Sequence, residues 1–147
     1  MSDTPNISSF RITETIQESR RFVIYKAEAF GDGSRVVIKT TTGSALHDPI
    51  LNASLKQEAL AGMKLHSPHI RRVSNCFEDA GQNYLIAEHA DGISLGQFLL
   101  HHPSGVPFEL GLLWAKSTAE ALVHAARQGV NHLNLNPYNV IIDPVNH

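Results

Sequence analysis

The feature that most constrains this chain is a change of hydrophobic period at Asp48-Pro49. Before it, apolar residues gather in short β-rich runs. Phe10, Ile12 and Ile16 keep a strand-like rhythm, "RFVIYKAEAF" continues to Phe30, and "RVVIKT" supplies a third strand after the turn "GDGS". Such residues suit a pleated, half-buried surface, and Asp32-Gly33 is a hairpin signal. After the break, Asp48 as N-cap and Pro49 at the first helical position predict a helix start. Leu51, Leu55, Ala59, Gly62 and Leu65 follow at three- and four-residue intervals, which stacks them on one helical face. Pro68 in "HSPH" stops that helix. Two more strand candidates, "IRRVSNCFE" and "NYLIAEH", flank a turn at Asp79-Ala80-Gly81-Gln82. Beyond Asp91-Gly92 the pattern is helical, first "SLGQFLLH" and then a long stretch from about Phe108 to Gln128. Three strands, a helix, two strands and then helices make an α+β order.

Length and charge narrow the function classes. At 147 residues, with 42% apolar and 18% charged, the chain has the composition of one soluble globular domain. A net charge of −2 gives no basic surface for nucleic acid or anionic membrane, so neither is an expected partner. The single cysteine, Cys76, excludes an internal disulfide framework and fits a reducing compartment. No leader and no long apolar run stand out, and a cytoplasmic location is expected. Residues 1–9 are small and polar and predict a flexible N-terminus.

Two residues stand where chemistry needs them. Lys39 closes the third strand and Glu58 lies inside the next helix, so they can meet as an ion pair that aims the ammonium at phosphates. Glu58 adjoins the Leu55–Ala59 stripe, which turns it towards the sheet. The plainer alternative is two unrelated surface charges. The remaining candidates take ordinary roles. His66 and His69 in "HSPH" lack a neighbouring Cys or carboxylate cluster and do not predict a metal site. Cys76, between Val73 and Phe77, reads as a small buried hydrophobe. His101-His102 read as a solvent-facing helix end.

In this order the residues resemble a protein-kinase domain. "VVIK" is similar to the Val-Ala-Ile-Lys strand of that family, and Glu58 to the partner Glu of the following helix. "YLIAEHADGISLGQFL" is similar to the fifth strand, hinge and next helix, with Ala87 as gatekeeper, Glu88 to Ala90 as hinge and Asp91-Gly92 as the bend into the larger lobe. "ALVHAARQGVNHLNLNPYNVII" is similar to the long helix, catalytic loop and strand beyond it. The resemblance spans about residues 10–145. More narrowly, "FRITETIQES" through "VVIK", with "DGISLGQFL", resembles the kinase-like modules that begin large bacterial multidomain signalling proteins. It implies a five-stranded antiparallel N-lobe sheet with one helix over residues 10–88, then a hinge and truncated helical C-lobe portion over 89–147. For a nucleotide site it implies Lys39, Glu58, Ala87, Glu88, Ala90 and Asn139, with ATP and Mg²⁺ as candidate cofactors and Asn139 as candidate Mg²⁺ ligand.

Departures from the family pattern shift the expected function. Gln17, Ser19 and Phe22 fall at the three positions of the glycine-rich loop, where missing side chains normally let backbone N–H groups close over phosphates. Phe22 crowds that approach, Arg20 and Arg21 partly supply charge, and Val37 replaces the Ala that leaves room for adenine. In the loop, His132 takes the anchoring histidine's place as a structural residue. Leu133 replaces Arg, Asn136 replaces the phosphate-facing Lys, and Asn134 replaces the base Asp. An amide does not accept a proton near neutral pH, so no catalytic residue is intact. The chain ends at His147, before any Asp-Phe-Gly. A pseudokinase is the leading expectation: an impaired kinase-like module that acts in signalling by binding a protein partner or itself. A nucleotide sensor without phosphotransfer, and an N-terminal fragment of an active Ser/Thr-type kinase, are the alternatives. The long helix carries apolar residues with no later chain to bury them, so Leu112, Trp114, Ala115, Ala119 and Leu122 are the expected interface of a dimer or stable complex.

Overall fold

The computed structural model describes residues 7–132 and 134–143. The chain forms two compact units. One holds the described residues through Lys64 together with Arg71–His89; the other holds Leu65–Ile70 and the described residues from Ala90 onward.

In the first unit, β1 (Phe10–Glu18), β2 (Phe22–Ala29), β3 (Arg35–Thr41), β4 (Val73–Asp79) and β5 (Gln82–Glu88) form a five-stranded sheet in the order β1-β2-β3-β5-β4. Every pairing is antiparallel. Helix α1 (Pro49–Gly62) lies between β3 and β4 in the chain. The expected α+β order and the five-stranded sheet with one helix are therefore present. The period-2 alternation divides the core. Tyr25 and Ala27 of β2, Val36 and Ile38 of β3, and Tyr84 and Ile86 of β5 pack together on one face. Leu85 and Ala87 of β5 pack under Leu55 and Ala59 of α1 on the other. The first six residues of β5 are all buried, as befits a strand paired on both sides and covered on both faces.

Local signals account for the boundaries. Asp48 Oδ1 accepts from Ile50 N (2.9 Å) and Leu51 N (3.1 Å), capping α1 with Pro49 at its first position. The helix ends at Gly62, so Leu65 lies outside it and in the second unit. Ala80 and Gly81, both at positive φ (49° and 80°), make the two-residue turn from β4 to β5. Ile16 departs from the expected rhythm: register shifts after Ile12 and after Thr15 break the alternation, and it is left exposed.

The second unit contains β6 (Ile93–Ser94), α2 (Leu95–His101), α3 (Phe108–Arg127), a single 3-10 turn (Pro137–Asn139) and β7 (Ile141–Ile142). Ser94 and Gln97 form a reciprocal capping box at the start of α2. Phe98, Trp114 and Ile142 build the local core, with Phe98 and Trp114 edge to face at 5.3 Å. The loop Leu65–Ile70 is fastened to α3: His69 Nε2 is 3.1 Å from Glu120 Oε2, and His66 N donates to His124 Nε2 (3.3 Å). Glu120 is the carboxylate near "HSPH" that linear spacing did not reveal. Among the described residues no helix is long and apolar enough to cross a membrane.

Candidate functional site

In the first unit, the expected residues are set by β3. Lys39 pairs with Ile24 of β2 and Leu85 of β5, on the face covered by α1. Glu58 precedes the fully buried Ala59 by one residue, which sets it at the margin of the helix's packed stripe. There Lys39 Nζ donates to both carboxylate oxygens, at 2.9 Å to Oε1 and 2.7 Å to Oε2. The side chains are 23% and 50% exposed, so the pair contributes only about 0–1 kcal/mol to stability. Its effect is to hold the ammonium in one place. Lys39 Nζ also lies 4.8 Å from the centre of the Phe22 ring, a cation–π contact. Phe22 is two residues from Ile24 along β2, a diagonal neighbour of Lys39 on the same face, so register was the signal that could have found it. Ala87 is buried beside Leu85, and Glu88 is exposed at the end of β5, its N–H donating to Arg72 O (2.9 Å).

A buried polar network that the sequence reading missed holds α1 in register with the sheet. Asn52 Nδ2 donates to Leu46 O (3.0 Å) and Asp48 O (3.1 Å), while its Oδ1 accepts from Asn83 N (3.0 Å). Asn83 Nδ2 donates back to Asn52 O (3.1 Å), and Thr40 Oγ1 donates to Asn83 O (2.8 Å). One side chain thus ties the start of α1 to β5 and, through Asn83, to the residue after Lys39. The only sequence signal was a polar residue three positions before Leu55, on the helix's packed side.

The turn from β1 to β2, Ser19 to Arg21, is closed on itself. Ser19 N and Ser19 Oγ both donate to Phe22 O at 2.9 Å, and Ser19 Oγ accepts from Phe22 N (3.0 Å) and Arg21 N (3.3 Å). Thr42 fastens the turn to the end of β3, its N–H donating to Arg21 O (3.1 Å) and its hydroxyl to Arg20 O (2.9 Å). A phosphate cradle requires backbone N–H groups turned outward; here those of Ser19, Arg21 and Phe22 are engaged within the turn.

In the second unit, the remaining expected residues lie on the segment between α3 and β7. Asn139 Nδ2 donates to Asn134 O (2.8 Å), Asn136 Nδ2 donates to the same carbonyl (3.1 Å), and Asn136 Oδ1 accepts from Tyr138 N (2.9 Å). Three asparagines thus brace one turn through backbone atoms. With Nδ2 engaged, Asn139 presents Oδ1, a hard oxygen of the type Mg²⁺ accepts, although one such donor holds a metal only alongside phosphate and water oxygens. His132 is exposed rather than packed, and its ring Nδ1 accepts from Asn134 N (3.3 Å). Asn134 is exposed, and Leu133 lies outside the described residues. Ala90 is half-buried at the start of this unit. Two glycines place the segment: a Cβ on Gly92 would stand 2.2 Å from Ile142 O, and one on Gly96 would stand 2.7 Å from the Tyr138 ring.

Of the expected interface residues, Leu112 (59% exposed), Ala115, Ala119 and Leu122 face outward. Trp114 does not. It points from the opposite side of α3 into the Phe98–Ile142 core, because α3 is apolar on two faces and the larger aromatic fills the inner one. Cys76 is half-buried, and burial pushes its thiol above the usual range, against a smaller opposing influence from Lys56.

A strand lysine held by a helix glutamate under a five-stranded sheet, followed by an asparagine-braced loop after a long helix, defines the class of protein kinases. Residues 10–147 match the protein tyrosine and serine/threonine kinase family, and the chain belongs to it. It is 28% identical over 140 residues to the serine/threonine-protein kinase ULK3 of Homo sapiens, covering 94% of this chain and 29% of that one. It is 27% identical over 135 residues to the probable serine/threonine-protein kinase PknB of Lactococcus lactis, covering 90% of this chain and 21% of the relative. The fold is similar to the solved PknI kinase domain of Mycobacterium tuberculosis, with a TM-score of 0.78 at 22% identity over 95% of this chain and 56% of that domain. The chain thus spans less than a third of these two relatives' length.

Proposed function

We propose that this chain is a catalytically impaired protein-kinase-like module that acts in signalling by associating with a protein partner or with itself. The observation that carries this reading is Asn134 at the position of the catalytic base. Its side chain is a neutral amide with no capacity to take the substrate hydroxyl's proton. The closed Ser19 turn supports the same reading, since its engaged N–H groups are not offered to a γ-phosphate. A cytoplasmic setting accords with a single cysteine and no disulfide.

A second reading, a nucleotide-binding module without phosphotransfer, is favoured by the Lys39–Glu58 pair and by Asn139. Lys39 would meet the phosphates of ATP, and Asn139 Oδ1 would contribute one ligand to Mg²⁺. ATP with Mg²⁺ would supply the phosphoryl charge that these residues are disposed to hold.

Two measurements on the full chain test these readings. Incubation with radiolabelled ATP and Mg²⁺ is expected to give no phosphate transfer above the Lys39→Ala background; Lys39-dependent transfer would overturn the proposal. In a thermal-shift titration with millimolar ATP and Mg²⁺, a rise in Tm that Lys39→Ala abolishes selects the nucleotide-binding reading. Lys39→Ala itself is expected to cost no more than about 1 kcal/mol of stability, so a lost ligand shift will not be confused with unfolding.

A further inference from the structure

We infer that Phe22 is an internal plug on Lys39: its ring occupies the side of the ammonium that a phosphate would need, so the chain itself excludes the nucleotide's phosphates. This rests on the reading of Lys39 as the residue that would meet the phosphates of ATP, and it adds the residue that decides whether they can. Strand register sets the contact. Phe22 pairs with Thr41 and Ile24 with Lys39, so the side chains of Phe22 and Lys39 share the sheet face that α1 covers. An ammonium has three N–H donors. Two directions go to Glu58, with Oε1 at 2.9 Å and Oε2 at 2.7 Å, and the Phe22 ring centre stands 4.8 Å from Nζ. A phosphate oxygen paired with an ammonium sits about 2.7–2.9 Å from the nitrogen, which leaves no room for it between Nζ and the ring. The face of the ring is also the negative end of its quadrupole: it attracts the cation and repels an anion.

The ring is anchored at its far side and at its backbone. It is half-buried and packs against the cluster of Leu55 and Ala59 from α1 with Leu85 and Ala87 from β5. Phe22 N donates to Ser19 Oγ (3.0 Å), and Phe22 O accepts from both Ser19 N and Ser19 Oγ at 2.9 Å. Thr42 N donates to the carbonyl of the preceding residue, Arg21 (3.1 Å), which ties the same corner to the end of β3. Swinging the ring away from Nζ therefore costs apolar packing under α1 as well as the cation–π contact. Glycine, the residue the kinase pattern places here, would leave that side of Nζ open. The lost glycine and the covered ammonium are thus one feature: the side chain gained at this position is the one that reaches Lys39. With Glu58 on one side and the ring on another, the lysine is held in place with no nucleotide to hold it.

Calorimetric titration of the full chain with ATP and Mg²⁺ tests the plug. Phe22→Ala is expected to bind ATP at least about tenfold more tightly than the native chain, and adding Lys39→Ala is expected to abolish the gain. Adenosine, which has no phosphate to place on Lys39, is expected to gain nothing. Phe22→Ala also removes a packed ring, so far-UV circular dichroism must first show that it folds. Should it misfold, Phe22→Leu keeps apolar packing under α1 while withdrawing the ring face, and is expected to show the same Lys39-dependent gain. A folded variant that binds ATP no better than the native chain overturns the inference. If neither binds, the impaired-module reading stands without it; if both bind equally, the nucleotide-binding reading stands without it. An equal gain for ATP and adenosine also overturns it, because Phe22 would then crowd the base and not the phosphates.

Discussion

Asn134 and Asn52 are the same residue type in opposite situations. Asn134 is exposed, and the loop grips its backbone carbonyl. Asn52 is 6% exposed, with its amide engaged at both ends. Asn52→Ala would leave the Asn83 N–H buried without its acceptor, and we expect a cost of about 2–4 kcal/mol, read as a lower denaturant midpoint at unchanged slope. A loss under about 0.5 kcal/mol would mean that the network does not hold α1 in place. Lys39, Glu58 and Asn134 were legible in the sequence because each belongs to a motif at known spacing. Asn52 was not, because its partner Asn83 is 31 residues away and only the pairing of β3 with β5 beneath α1 brings the two together. Phe22 was legible as an obstruction but not as a partner of Lys39, since that contact depends on strand register.

At the scale of elements, the change of period at Asp48-Pro49 marked the boundary between sheet and helix, and the cap and proline acted where chemistry placed them. The limits of that reading are physical. A linear pattern does not register the two shifts in β1, and so it kept Ile16 in one strand rhythm with Phe10 and Ile12. It also assigned Trp114 to the outer face of α3, where a helix apolar on two sides offers no single stripe to read. The second unit's short elements depend on close approach. Gly92 has φ 125° and a carbonyl 2.2 Å from where a Cβ would sit, so Gly92→Ala is expected to cost roughly 3 kcal/mol or more. Gly105 also has positive φ (91°) but open space around it, and Gly105→Ala should cost only about 1 kcal/mol. Urea unfolding of the two variants compares crowding with backbone strain. Equal losses would mean that the β6–β7 approach is not tight.

Across the whole molecule, protection is expected to be graded. β3 and β5 are paired on both sides, and β5 is buried along nearly its full length. β1 is an irregular edge strand, and β6 and β7 are two residues each. Native-state hydrogen exchange should therefore find the slowest amides in β3 and β5 and the fastest in β1, β6 and β7. Uniform protection would contradict this account of where the cohesion lies. The order of elements and the kinase family were legible from end to end, because four motifs follow one another at consistent intervals. The fastening of Leu65–Ile70 to α3 was not, since it rests on His69 and Glu120, 51 residues apart in the chain.

The brace around Asn134 has a further consequence for inheritance. Asn139 and Asn136 both hold the carbonyl of residue 134, an atom that every amino acid carries. The side chain of Asn134 adds only a longer contact, its Oδ1 accepting from Asn136 Nδ2 (3.4 Å), and an aspartate oxygen would accept there equally. Asparagine and aspartate codons differ at a single base, so a lineage can lose or regain a carboxylate at this position without refolding the loop around it. Chemistry here is a detachable trait, carried on a frame that natural selection can preserve for other reasons.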